Sequence, residues 1–357
     1  MQLENVNVEK LEVLITPEHL KARFPIPESV REFVNQSRQA IRSIIDGDDP
    51  RTMVVVGPCS IHDPQSAVEY AQRLAQLAEE LDDQLFIIMR AYFEKPRSTV
   101  GWKGLINDPH LDDSFRVDEG LAMARQLLLT ISELGLPIAT EALDPITPQY
   151  LQDLISWSAI GARTTESQTH REMASGLSCP VGFKNGTDGS LDVAVNALQA
   201  ATSPHSFLGI SPSGQVSVIH TAGNGHAHIV LRGGSNGPNY SAQHIAHAEE
   251  SLRKNGLQPR IMVDCSHANS SKDHNKQAQV LADVSDQLKA GNESIRGVMI
   301  ESHLEAGNQP LSENLRYGVS ITDACVGWDD TVVMLRELHS TLAQRGAKTK
   351  QRGELAL

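Results

Sequence analysis

Cysteine is scarce in this chain of 357 residues, and the wide, irregular spacing of Cys59, Cys179, Cys265 and Cys325 excludes a disulfide-stapled fold. Basic residues are outnumbered, 31 Lys and Arg against 44 Asp and Glu, so the net charge of -13 denies the chain the positive footprint that nucleic acid or an anionic membrane would need. No apolar run has the length of a membrane span or the form of a signal-peptide core, which makes a reduced cytoplasm the expected compartment. The CxxC and HExxH strings of familiar metal sites are missing, as are internal repeats and low-complexity stretches. Disorder is excluded for most of the chain, because 40% hydrophobic content over this length buries a large core.

What is present is a rhythm. After a polar extension over residues 1–50, with helices expected from Thr16-Pro17 and from Pro27 to Ile45, short apolar runs alternate with helical patterns. Met53–Gly57, Leu85–Met89, Ile138–Glu141, Ala159–Ala162, Val181–Lys184, His228–Arg232, Ile261–Asp264 and Val298–Glu301 read as strands, each followed by a helix. Eight such units predict an α/β fold, the (β/α)8 TIM barrel, over 51–346. One segment breaks the alternation: residues 207–220 read as a β-hairpin inserted before strand six, with Ser-Pro-Ser-Gly at its turn. The tail over 347–357 is polar and expected to fray. Apolar grip for the extension is expected from Leu11, Val13, Leu14 and Ile15.

In this fold the site lies at the C-terminal strand ends, which here carry Cys59, Arg90 with Lys95, Glu141, Arg163, Lys184, Arg232, His267 and Glu301. The cations at these ends would repel one another unless anions neutralise them, which predicts a ligand with more than one anionic group. For Arg90, Lys95 and Arg97 alone, a solvated loop paired with Glu94 and Asp108 is the competing reading. Cys59, His267, Glu301 and Asp323 supply a thiolate, an imidazole and two carboxylates, a donor set suited to manganese, iron, cobalt or zinc. Singly, Cys59 reads equally as a small core residue and His267 as a satisfied strand-end histidine.

Gly57–Asp63, Arg90–Arg97, Gly101–Gly104, Gly161–Ser167, Gly182–Gly189, Leu231–Gly234 and Asp264–His267 together resemble the microbial class I 3-deoxy-D-arabino-heptulosonate 7-phosphate (DAHP) synthases, and the likeness spans nearly the whole chain. The resemblance implies metal-dependent condensation of phosphoenolpyruvate with erythrose 4-phosphate, and a feedback-inhibited homodimer or homotetramer. It places the metal on Cys59, His267, Glu301 and Asp323, and phosphoenolpyruvate against Arg90, Lys95, Ala162, Arg163, Lys184 and Arg232, with Glu141 nearby. Pro96, Arg97 and Ser98 would face erythrose 4-phosphate. A related synthase with another sugar acceptor and an inert sugar-phosphate sensor are the alternatives.

Lys95 is the expected proton donor, with a pKa lowered by the arginines around it, while His267, Glu141 and a metal ligand are the alternatives for guiding water. Two departures stand out: Ser98 where threonine is usual, and a loop Gly234–Pro238 without the usual lysine. The resemblance also implies an aromatic amino acid site formed by Pro148, Gln149, Leu177, Ser178, Phe207 and Gly209, with Asn5 of a neighbouring subunit. The space left by Gly209 points to L-tyrosine, as in the tyrosine-sensitive form.

Overall fold

The computed structural model describes the backbone of residues 3–354, with side chains as far as Gln344. Helix α1 (Pro17–Arg23) starts where Thr16 accepts a hydrogen bond from the His19 amide, with proline in the first turn. It leads into α2 (Glu28–Asp46), β1 (Thr52–Gly57), α3 (Pro64–Leu81), β2 (Leu85–Arg90), α4 (Val117–Glu133), β3 (Ile138–Glu141) and α5 (Thr147–Leu151). There follow β4 (Trp157–Ile160), α6 (Gln168–Gly176), β5 (Val181–Lys184), α7 (Asp192–Ala201), β6 (Ser206–Ile210), β7 (Val216–His220) and β8 (Ala227–Leu231). The chain ends with α8 (Ala242–Lys254), β9 (Ile261–Asp264), α9 (Gln277–Lys289), β10 (Ile295–Glu301) and α10 (Trp328–Glu354).

Strands β1, β2, β3, β4, β5, β8, β9 and β10 pair in parallel, in that order, and close back on β1. This is the expected (β/α)8 barrel. The antiparallel pair β6 and β7 stands apart as the expected hairpin, since its strands come between the fifth and sixth barrel strands and pair only with each other. Alternate strand residues divide the apolar material. Val54, Val56, Ile87 and Met89 pack outward against the helices, whereas Met53, Val55, Ile88, Trp157, Val230, Met262 and Met299 form a separate inner cluster. Trp157 fits inside because Gly182 has no side chain: a Cβ there would lie 2.4 Å from its ring.

The extension holds on differently from the expectation. Of the four expected contacts Ile15 packs against the core while Leu11, Val13 and Leu14 are exposed, and it is α2 that buries Val30 and Val34 outside the barrel and adds Ile41, Ile44 and Ile45 to the inner cluster. An amphipathic helix removes more apolar area than a short polar-flanked run, so it wins the packing position. Three local details differ from a simple strand-then-helix reading. Ser190 lies outside α7 and does not cap it, its amide being taken by Asp188 Oδ1 at 2.9 Å. The helix after β9 begins only at a 3-10 turn over His274–Lys276, because Ser271 and Lys272 adopt left-handed backbone, with φ of 55° and 61°. The tail is helical through Glu354, and residues 355–357, with 1–2, lie outside the described residues. Among the described residues no helix is long and apolar enough to cross a membrane.

Candidate active site at the C-terminal barrel mouth

A cavity of about 800 Å³ opens where the strands end. All nine residues expected to bind substrate, Arg90, Lys95, Pro96, Arg97, Ser98, Ala162, Arg163, Lys184 and Arg232, line it, together with Glu141, His267 and Asp323. Parallel register explains the convergence: the last residues of β2, β3, β5, β9 and β10 reach the same end of the barrel, and the loops that follow fold over it.

Arg90 is the structural keystone of the floor. It is 1% exposed, and its nitrogens donate to the Pro58 carbonyl (Nε, 3.1 Å), to the Cys59 carbonyl (3.1 Å) and to Glu301 Oε1 (2.9 Å). The guanidinium also lies 3.5 Å over the Tyr92 ring. Burial opposes the charge on Glu301, but His267, Arg90 and Lys95 outweigh it and hold the carboxyl below its ordinary pKa. Ser266 Oγ donates to its other oxygen at 2.9 Å.

Cys59, Glu301 and Asp323 each present a ligand atom, and these atoms lie within 4.8 Å of one another. Such a mixed S/O cluster on a polar floor fits a divalent ion. His267, the fourth expected ligand, falls outside this close group, although its Nε2 lies 3.7 Å from Glu301 Oε1. Its Nδ1 sits 2.9 Å from Asp264 Oδ2, close enough for charge attraction but without hydrogen-bond geometry. The Cys59 thiol is pushed up to about 11 by burial and by Glu301, against the pull of Lys95. The Lys95 ammonium lies 3.2 Å from Cys59 Sγ. Burial lowers the pKa of Lys95, yet Cys59, Glu301 and Asp323 together bring it above the ordinary value, so the expected depression is corrected: anions, not arginines, dominate its surroundings.

The solvated-loop reading of the basic segment fails. Glu94 points inward, 5% exposed, accepting from Thr147 Oγ1 at 3.2 Å, and burial followed by Asp144 raises its pKa to about 8. Asp108 is buried against the Asp113 amide. Neither pairs with Arg90, Lys95 or Arg97. Arg163 donates to Ser98 Oγ at 3.0 Å, and Arg97 to the Trp102 carbonyl at 2.7 Å. Glu141 is buried with Oε1 unpartnered and packs on Gly161, where a Cβ would approach that oxygen to 2.3 Å.

Sequence reasoning missed Asp264, which pairs with Lys184 at 2.9 Å and whose pKa His267 and Lys184 drive well down against burial. Its signal was its place as the last residue of an apolar run. Thr187, Ser235, Lys272, Asn308 and Thr322 on the walls were also missed, since loops carry no phase that would place them. The loop Gly234–Pro238 forms a tight turn with paired Gly234 and Gly237, and the Ser235 amide ties it to the Thr187 carbonyl at 3.0 Å.

A second cavity, of about 320 Å³, lies between α5, α6 and the hairpin. Pro148, Gln149, Leu177, Ser178, Phe207 and Gly209 line it, with Lys21, Arg38 and Asp153 at its charged side. Asn5 is not among the lining residues of its own chain.

The sequence model described as the DAHP synthetase I family matches residues 24–336. The chain is 58% identical over 345 residues to the Tyr-sensitive phospho-2-dehydro-3-deoxyheptonate aldolase of Salmonella typhimurium, covering 96% of each sequence. It is 56% identical over 348 residues to the Phe-sensitive enzyme of Escherichia coli, covering 97% of this chain and 99% of that one. The solved structure of the Francisella tularensis phospho-2-dehydro-3-deoxyheptonate aldolase superposes with a TM-score of 0.93 at 50% identity, covering 95% and 99% of the two chains.

Proposed function

We infer the roles of the site residues from one premise: the chain belongs to the DAHP synthetase I family. It condenses phosphoenolpyruvate with D-erythrose 4-phosphate to give 3-deoxy-D-arabino-heptulosonate 7-phosphate and phosphate, the first step of the shikimate pathway. The observation that supports the assignment of roles is charge placement. Above a floor of Cys59, Glu301 and Asp323, the cations Arg97, Arg163 and Arg232 line the cavity with no acidic partner among the described residues.

Arg163 and Arg232 take the phosphate of phosphoenolpyruvate, beside the Ala162 backbone. Arg90 and Lys184, each already paired with a buried acid, fix the carboxylate end more by position than by free charge. Pro96, Arg97 and Ser98 receive erythrose 4-phosphate. Holding both reactants this way sets C3 of the enolpyruvate against the aldehyde carbon. Cys59, His267, Glu301 and Asp323 would hold a divalent ion, manganese, iron, cobalt or zinc. When bound, it supplies Lewis acidity toward the aldehyde oxygen. Lys95, kept protonated by its anionic neighbours, donates the proton that the new alkoxide requires. Glu141, with one buried oxygen unpartnered, accepts the proton of the water added at C2, and phosphate then leaves.

The second cavity binds an aromatic amino acid that inhibits the enzyme, and Gly209 favours L-tyrosine. Exposed apolar side chains on residues 3–14 (Val6, Leu11, Val13) and on the hairpin (Leu208, Val216, Val218) support a homodimer or homotetramer in which Asn5 reaches a neighbouring effector site. The test of the reading is to follow enolpyruvate absorbance with metal and a panel of aldose phosphates. Loss of signal greatest with erythrose 4-phosphate is expected; a longer sugar phosphate consumed faster would replace the acceptor.

A further inference from the structure

The loop after β9 carries a cation that the roles above leave unused. Lys272 lines the mouth of the catalytic cavity and makes no ion pair among the described residues. Its backbone is held in an unusual shape. Within six residues three non-glycine positions, His267, Ser271 and Lys272, take left-handed φ of 56°, 55° and 61°. Such conformations persist only where their surroundings enforce them, and they gather where a ligand is handled. Here the enforcing bonds are visible. The Lys272 amide donates back to the His267 carbonyl at 2.7 Å, and the Ser271 amide to the Ala268 carbonyl at 3.1 Å. Asn269 Nδ2 clamps the loop to the Leu231 and Asp264 carbonyls at 3.1 and 2.8 Å. The loop is thus folded back so that the lysine follows the histidine to the same cavity.

Charge bookkeeping says what it is for. Arg90 pairs with Glu301, Lys184 with Asp264, and Lys95 leans on Cys59. Arg163 and Arg232 serve one phosphate, which leaves Arg97 alone to neutralise the dianion of the other. The acceptor's aldehyde must reach the fully buried floor at Cys59 and Glu301, so its phosphate, at the opposite end of a four-carbon chain, lies toward the exposed mouth where Lys272 stands. We propose that Lys272 is a second phosphate-binding cation for erythrose 4-phosphate, acting with Arg97. The proposal rests on the condensation reading of this site.

The test is steady-state kinetics on the metal-loaded full chain with Lys272→Met and Lys272→Arg. Loss of one charge-assisted contact predicts that Lys272→Met raises KM for erythrose 4-phosphate about tenfold to a hundredfold, while KM for phosphoenolpyruvate stays within about twofold and Lys272→Arg restores most of the loss. Inorganic phosphate, as a probe competing with the acceptor, should inhibit Lys272→Met more weakly than wild type. An unchanged acceptor KM, or equal rises for both substrates, overturns the assignment while leaving the reaction intact. Wild type that fails to consume phosphoenolpyruvate in the presence of the acceptor overturns the reading beneath it. Thermal melting of the exposed-site variants separates misfolding from either result.

Discussion

Replacing Arg90 by lysine should damage the site far more than a charge-conserving change normally does. The guanidinium serves the Pro58 and Cys59 carbonyls and Glu301 at once, at 3.1, 3.1 and 2.9 Å, and a lysine ammonium on a thinner stem cannot span all three. If the substituted ammonium kept the Glu301 contact, two buried charge-donated hydrogen bonds would go, each worth roughly 1.5–3 kcal/mol, for a total on the order of 3–6 kcal/mol. Losing the Glu301 contact instead would take one charge-assisted hydrogen bond from a carboxylate with no solvent exposure, leaving it Ser266, His267 and Lys95, at roughly 1.5–3 kcal/mol. Both routes displace the Cys59 backbone or the Glu301 carboxylate, so metal affinity should fall at least about tenfold. Urea unfolding of the metal-free protein and calorimetric titration with manganese or zinc measure the two effects. Arg163→Lys, at an exposed guanidinium whose one hydrogen-bond partner among the described residues is Ser98, is the control and should leave stability unchanged. Arg90→Lys with wild-type stability and metal affinity would refute the claim that Arg90 builds the floor.

Acid should weaken the fold through His228, which is buried inside the barrel, accepts from Trp157 Nε1 at 3.1 Å and has its pKa lowered from 6.5 to about 4 by burial. The unfolded chain takes up this proton near pH 6.5 and the folded chain only near 4, so stability falls across that window, by on the order of 3 kcal/mol, and His228→Gln should flatten the slope of urea midpoint against pH. Arg97→Ala should raise KM mainly for erythrose 4-phosphate and Arg163→Ala or Arg232→Ala mainly for phosphoenolpyruvate, each by about one to two powers of ten; equal effects on both substrates would mean the subsites are misassigned. Wild type should be inhibited best by L-tyrosine. In Gly209→Ser the new Cβ would sit 2.7 Å from Ile219 Cγ1, forcing that wall of the effector cavity to move, and inhibition constants for tyrosine and phenylalanine should shift relative to each other.

The barrel was legible because period and phase survive in the chain. Runs such as Met53–Gly57 and Ile261–Asp264 are apolar on both faces, as parallel strands are, and their ends carry polar residues in step. The cavity walls were legible for the same reason wherever a residue closes a strand. Lys272 and Thr187 sit several residues into loops, where spacing along the chain says nothing about direction. The pKa of Lys95 was misread because sequence shows neighbours along the chain, Arg90 and Arg97, and hides Cys59 and Glu301, which reach it across the barrel. The hold of α2 on the barrel was hidden too, although Val30, Val34, Ile41 and Ile44 carry helical spacing, because periodicity gives a helix its apolar face but not the surface that face meets.

Equilibrium binding of a divalent ion probes the floor of the barrel mouth without relying on turnover. Wild type should bind one manganese or zinc ion per chain at Cys59, Glu301 and Asp323, with His267 as the fourth ligand. Cys59→Ala, which removes a thiol whose polar contacts are Lys95 and Asp323 of the site itself, should lose at least about tenfold to a hundredfold in affinity while keeping its melting temperature in the metal-free state. Full-affinity binding by Cys59→Ala would mean that the ion does not sit on this thiol and that the site lies elsewhere.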